Sequence, residues 1–152
     1  MLVEAHLAKW RRFHAVRSRF DPVEDFELWF WATASGATAL INAALHATGV
    51  TEASRLFPTQ IVHVYARADD STRWGLVLAA EGDLIVLGMP ALAQEVPPEL
   101  HVAFDSMRVI ERFREPFVRG TASADRKVVK ACESAYGVVV VETQSTIGEW
   151  QA

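Results

Sequence analysis

The stretch LWFWATASGATALINAALHATGV, from Leu28 to Val50, decides the fold because it contains no charged side chain. A membrane-spanning helix needs roughly 20 predominantly apolar residues, so its length alone would allow a span. However, Asn42 and His46 lie one helical turn apart on one face, where lipid would not solvate them. Acidic residues precede the stretch and Glu52 follows it, so neither end carries the basic cluster that orients a membrane helix. The stretch therefore predicts a buried helix in a protein without a membrane span.

Small residues recur along this helix at spacings of three and four positions. Such a row lets a neighbouring helix approach closely, because no long side chain separates the two backbones. The sequence thus predicts that the helix packs among other helices on most of its circumference. The small residues are Ala32, Ser35, Gly36, Ala39, Ala43 and Ala47.

The residues before this stretch predict a first helix and the start of the second. Met1–Phe20 has apolar residues at helical spacing, with its basic residues on the opposite face. Asp21 suits an N-cap and Pro22 suits the first helical position. The second helix is expected to run to about Thr48, with Gly49 as its C-terminal cap.

Two further helices are predicted in the second half of the chain. Residues 98–114 have helical periodicity, and Pro98 suits a helix start. Ser123 or Asp125 can cap a last helix over about 126–148. Val138–Val141 locally favours a strand, but the polar spacing that follows favours continued helix.

The segment between these helix pairs has a different character. Residues 74–80 and 84–87 are apolar runs on either side of Glu81-Gly82-Asp83, a pattern typical of a β-hairpin. The predicted fold is therefore mainly α, a four-helix-type bundle with a small β-hairpin-like insertion at about residues 58–97. All of residues 1–152 are expected to form a single domain.

Composition limits the classes of partner. Five Trp and eight Phe in 152 residues exceed what one small core usually hides, which favours a homodimer that buries Trp and Phe of the first or second helix. The net charge of −4 argues against a nucleic-acid partner. The single cysteine, Cys132, excludes an internal disulfide and is expected to be an inert packing residue. Lys9 and its basic neighbours interrupt any signal peptide, so a cytoplasmic protein is expected.

No sequence motif fixes a reaction. The five histidines include neither an HxxxH pair nor a Glu-x-x-His pair, so no metal is predicted. A phosphate-binding loop, a dinucleotide fingerprint and a nucleophile elbow are also missing from the sequence, and no cofactor is predicted. Whether the protein is an enzyme stays open.

Two groups of side chains are candidates for a binding site. The first is a small-molecule pocket between the second and third main helices, where Asn42 and His46 would meet His101 and Arg112. The alternative for Asn42 and His46 is a pair of core polar groups satisfied internally. The second group is Arg112, Arg114 and Arg119, which suits a phosphate or carboxylate; the alternative is a solvated ladder of ion pairs.

The long helix pair, with ELWFWATASGATALINAALHATGV leading into a loop, resembles the core of HEPN-type domains over about Phe26–Leu56. The resemblance implies a small helical bundle that often dimerises, and that acts either as an endoribonuclease or beside a nucleotidyltransferase. Its nuclease branch carries an Arg followed four to six residues later by a His. Arg55 and His63 come nearest to this pattern here and are too far apart, and the 58–97 segment is also unlike the family core.

These observations lead to one expected function and two alternatives. The expected function is a helical-bundle module that works through self-association and through binding of a protein partner or small molecule. One alternative is a small-molecule enzyme built around Asn42 and His46. The other is a HEPN-like ribonuclease or nucleotidyltransferase-associated protein.

Overall fold

Helices dominate the part of the chain that the structure, a computed structural model, describes: residues 1–51, 53, 65–67, 74–77, 90–91 and 95–151. Four α-helices occur in these residues, and the predicted mainly α bundle is confirmed. A 3₁₀ turn over Pro98–Leu100 leads into the third helix, and a π-helical turn over Glu115–Arg119 follows it. The helices are α1 (Val3–Arg17), α2 (Phe26–Ala47), α3 (His101–Glu111) and α4 (Arg126–Gln151).

Three short β segments are described between α2 and α3. β1 (Tyr65–Arg67) pairs antiparallel with β2 (Trp74–Val77), and β2 pairs parallel with β3 (Pro90–Ala91). Strands of two to four residues fall at or below the short end of the usual range, so they do not support the predicted hairpin-like insertion. The centre of the predicted hairpin, Glu81-Gly82-Asp83, lies outside the described residues.

α2 is the central helix of the bundle. It contacts α1, α3 and α4, and side chains such as Phe30, Leu40 and Ile41 are completely buried. By length and composition α2 is a candidate membrane span, yet 78% of its most apolar window is buried inside the fold. That burial is typical of a core helix, as the uncharged stretch predicts.

Gly49 follows the C-terminal end of α2 as predicted, whereas the turn that Asp21 caps lies before the helix, so Pro22 is not its first residue. Asp21 Oδ1 accepts hydrogen bonds from the backbone N–H groups of Val23 and Glu24, and Asp25 Oδ2 accepts one from the Asp21 N–H. This reciprocal arrangement resembles a capping box, although regular α-helix begins only at Phe26. At the other end Gly49 has a positive φ of 74°, which glycine adopts without steric cost.

α4 begins where an acidic cap was predicted and continues through the valines. Asp125 Oδ1 accepts hydrogen bonds from the N–H groups of Lys127 and Val128, both at 2.9 Å. Asp125 is therefore the cap, rather than Ser123. Val138–Val141 is helical, and Val139 is buried against the core while Val141 is exposed. Packing of one face of α4 thus overrides the local strand preference.

Candidate functional site

Asn42 and His46, the first predicted pair, are both buried on α2. His46 Nδ1 lies 2.7 Å from Thr51 Oγ1 and 3.3 Å from the Thr51 carbonyl oxygen. The His46 ring also lies 5.2 Å from the ring of His6, a buried residue of α1. These contacts favour the interpretation of core polar groups satisfied internally. A ligand pocket around the pair stays a prediction.

His101 and Arg112, the other two predicted pocket residues, lie on exposed parts of the third helical region. His101 Nε2 is hydrogen-bonded to the Val96 carbonyl at 2.9 Å, beside an open cleft of about 330 Å³ that Asp105 and Arg108 also line. Arg112 places its guanidinium 5.0 Å from the centre of the Phe113 ring. Both side chains are exposed, whereas Asn42 and His46 are buried.

The predicted anion-binding arginines are largely engaged by carboxylates. Arg114 pairs with Glu111 at 3.3 Å, and Arg119 pairs with Glu115 at 3.0 Å. This arrangement favours the alternative of a ladder of ion pairs, although the Glu111–Arg114 pair is largely buried rather than solvated. Burial raises the pKa of the Glu111 carboxyl, and the attraction of Arg114 only partly opposes that shift.

Cys132 is completely buried on the inner face of α4. Burial raises the pKa of its thiol to about 12, although Arg112 and Arg17 act in the opposite direction. A thiol with so high a pKa is scarcely ionised near neutral pH, and the thiolate is the reactive form. The geometry therefore favours the predicted packing role.

An unpredicted cluster joins α1 to α4 around the buried phenol of Tyr136. The Trp10 indole Nε1–H donates a hydrogen bond to Tyr136 Oη at 3.0 Å, and His14 Nδ1 is hydrogen-bonded to the same oxygen at 3.2 Å. The rings of His14 and Tyr136 are stacked, with 14° between their planes. A Cβ built on Gly36 of α2 would lie only 3.1 Å from Tyr136 Oη, so the glycine allows this close approach.

Arg17 completes the cluster from the last turn of α1. Its guanidinium carbon lies 4.4 Å from the centre of the Tyr136 ring and 5.3 Å from that of Trp29, both within cation–π range. Its Nη2 lies 3.4 Å from Glu133 Oε1 on α4. The Arg17 side chain is only 13% exposed, whereas that of Glu133 is 54% exposed. Burial raises the pKa of Tyr136, while Trp10 and Arg17 lower it less, so the phenol stays protonated near neutral pH.

A cleft of about 190 Å³ opens beside this cluster, and we name it the α1–α4 cleft. Its lining combines polar groups with apolar surface, and the lining residues are His14, Arg17, Ser18, Phe20, Pro22, Trp29 and Glu133. The sequence contained a signal for it, because Trp10, His14 and Arg17 recur at spacings of four and three on one face of α1. The sequence predicts that the basic residues of α1 lie on its outer face. That prediction is wrong for Arg17, whose side chain is only 13% exposed.

A second surface feature lies on the outer face of α2, which we name the α2 stripe: Leu28, Trp31, Ser35 and Thr38. Leu28 is 56% exposed and Trp31 is 38% exposed, while Ser35 and Thr38 are half-buried. Their spacings of three, four and three place them on one side of the helix. The other aromatic residues of α2, Phe26, Trp29 and Phe30, are buried.

Comparison with known proteins identifies no relative: no family model matches the chain, and neither a curated protein nor a solved structure matches it significantly. The HEPN-like resemblance therefore stays a prediction. Among the residues that the structure describes, no group of three or more His, Cys, Asp or Glu side chains is arranged to hold a metal ion.

Proposed function

We propose that the protein is a helical interaction module that forms a homodimer through the α2 stripe. The observation that carries this proposal is the exposure of Leu28 and Trp31, two large apolar side chains, on one face of a largely buried helix. Single exposed apolar residues are ordinary, but neighbouring ones on a face that carries no charge from Leu28 onward favour a contact surface. Of the many aromatic residues in the sequence, Trp31 is the exposed tryptophan of α2 on which this proposal depends.

Trp31 is held in place before any partner binds. Its ring makes an edge contact with the ring of Phe30, at 5.7 Å between centroids, and Phe30 is completely buried in the core. A side chain that is already ordered loses less conformational entropy on association. Tryptophan is also among the residues that most often dominate interface energies.

Removing water from the rest of the stripe costs little free energy. The Thr38 hydroxyl donates a hydrogen bond to the Ala34 carbonyl at 2.8 Å, so its donor is already satisfied within α2. No charged side chain occurs between Leu28 and Val50. A partner that covers this face therefore removes little charged surface from water.

The charges of α1 and of the residues just before the stripe suit a second copy of the chain as the partner. The residues just before it, such as Glu24 and Glu27, are exposed and acidic, whereas Arg11 and Arg12 on the neighbouring α1 are exposed and basic. In a two-fold dimer each copy presents the same surface, so these opposite charges can face one another across the interface.

The test is sedimentation of the full chain at tens of micromolar, roughly the weak end of specific affinity. We expect a dimer for the unchanged protein and a monomer for the double variant L28E/W31E, with unchanged helical circular dichroism. The matched control is Val141→Glu, at a 64% exposed valine on α4. A monomeric unchanged protein, or a dimer that V141E breaks and L28E/W31E does not, would contradict the proposal.

Three predictions outside this proposal keep their own tests. The hairpin-like insertion over 58–97 requires backbone data on that segment. The HEPN-like ribonuclease alternative is tested by incubation with RNA. The enzyme alternative around Asn42 and His46 is tested by the substitutions discussed below.

A further inference from the structure

Among the described residues, the Arg17 guanidinium has few hydrogen-bond acceptors. Its side chain is 13% exposed, and its Nε is buried with no hydrogen-bond acceptor among the described residues. Its carboxylate neighbour there, Glu133, lies at 3.4 Å, longer than the roughly 2.7–2.9 Å typical of a charge-assisted hydrogen bond. The aromatic faces of Tyr136 and Trp29 stabilise the charge but accept no strong hydrogen bond.

The pairing with Glu133 is suited to exchange. Glu133 is 54% exposed, so it regains full hydration when it leaves Arg17. Because Glu133 is more than half exposed, solvent screens the pair and limits its contribution to stability. An external carboxylate can therefore replace Glu133 without leaving an uncompensated charge in the protein.

The remaining walls of the α1–α4 cleft select for more than charge. Trp29 and Phe20 supply apolar surface next to the Arg17 guanidinium. His14 uses Nδ1 for Tyr136, so Nε2 is its ring nitrogen that remains for a ligand. An occupant thus needs one anionic end and an apolar body, within a cleft of about 190 Å³.

We propose that the α1–α4 cleft binds a small carboxylate with an apolar body, with Arg17 as its anchor and Glu133 as the internal group that it displaces. A monocarboxylate carries the same single negative charge as the Glu133 carboxylate that it replaces. A phosphate dianion suits the cleft less well, because a single guanidinium does not balance two charges and Glu133 stays close enough to repel the second.

Benzoate is the probe, with benzamide as its uncharged counterpart and inorganic phosphate as the competing anion. Binding is followed by the indole N–H signals of the tryptophans in two-dimensional NMR of the full chain. We expect benzoate to shift the signals of Trp10 and Trp29 and to leave that of Trp31 unchanged. Benzamide and phosphate should bind at least about tenfold more weakly, since a hydrogen bond to a charged group contributes on that order.

Two substitutions in the cleft should move the affinity in opposite directions. Arg17→Gln should weaken benzoate binding about tenfold or more, because the anchor is lost. Glu133→Gln should tighten it about two- to fivefold, because the internal competitor is lost. The control Arg108→Gln, at an exposed arginine that pairs with Asp105 on α3, should leave the affinity unchanged.

Because the two substitutions should change the benzoate affinity in opposite directions, E133Q still tests the proposal if the Arg17 variant folds poorly. Benzamide binding as tightly as benzoate, phosphate binding more tightly than benzoate, or weaker benzoate binding by E133Q would each overturn it. The titration is repeated on the L28E/W31E variant, because the cleft does not depend on the proposed dimer. Loss of dimerisation with retained benzoate binding, or the reverse, then separates the two proposals.

Discussion

Glu111 illustrates how burial and pairing compete at a single residue. Its carboxylate lies 3.3 Å from Arg114 Nη1, and the two side chains are only 14% and 18% exposed. The ion pair would lower the pKa of the carboxyl, yet the net shift is upward because burial disfavours the charged form more strongly. A buried ion pair of this kind gives weak support to the fold.

The raised pKa predicts how stability depends on pH. The native state holds the Glu111 proton more tightly than the unfolded state, so the contribution to stability is complete below the ordinary value of 4.5 and is lost as pH rises through the higher native value. Glu111→Gln removes this loss. We therefore expect the melting temperature of E111Q, relative to the unchanged protein, to be higher at about pH 7 than at about pH 4. An equal pH-dependent gain for Glu115→Gln, at an exposed partner of the same arginine, would count against burial as the cause.

His46 and Thr51 give a second test at the residue scale. Thr51→Val removes the hydroxyl that lies 2.7 Å from His46 Nδ1, and should lower the free energy of unfolding by about 1–3 kcal/mol. The control is Thr48→Val, because the Thr48 hydroxyl donates within its own helix to the Ala44 carbonyl and should cost less. Chemical denaturation measures both.

The same experiment separates the structural interpretation of His46 from the enzyme alternative. If His46 serves a ligand, His46→Gln and Asn42→Ala should leave stability nearly unchanged and abolish binding or turnover. If the polar groups are part of the core, both substitutions should cost on the order of 1–3 kcal/mol.

At the scale of whole elements, glycines in two helices have opposite roles. Gly36 in α2 faces α1 and α4, since a Cβ there would lie 3.5 Å from Phe13 Cβ and 3.1 Å from Tyr136 Oη. Gly137 in α4 has open space around it, because a Cβ there would meet no neighbouring atom within 4 Å. Packing of three helices therefore depends on the first glycine and not on the second.

Substitution of these glycines should change stability in opposite directions. Gly36→Leu should lower the free energy of unfolding by about 1–3 kcal/mol, because the extra carbons push Tyr136 and Phe13 away from α2. Gly137→Ala should raise it by about 0.5–1 kcal/mol, because alanine loses less backbone entropy in a helix. Thermal or denaturant unfolding measures both; unchanged stability for G36L would show that the small-residue row is not in close contact with other helices.

For the whole molecule, the sequence predicted the helices better than the contacts between them. Gly49 marked the end of α2, and Asp21 marked the turn that precedes it, because capping is a local property of the chain. The position of Arg17 was not predictable from charge, because two aromatic rings from other helices shelter its guanidinium. The ion pairs of Arg114 and Arg119 follow from helical spacing, whereas the Tyr136 cluster joins residues more than a hundred positions apart.

Cys132 provides a probe of how the whole bundle opens. It belongs to the same buried cluster as Leu40 of α2, and its thiol has a pKa of about 12. A thiol reagent at mildly alkaline pH should therefore react only after the cluster opens. Leu40→Ala should lower the free energy of unfolding by about 2–5 kcal/mol and raise the labelling rate by roughly 30-fold or more, where opening and closing are fast relative to the reaction. Arg11→Ala, at an exposed position on α1, should leave the rate unchanged. If labelling is instead rapid and its rate is the same with and without the Leu40 substitution, α4 opens on its own, without the rest of the core.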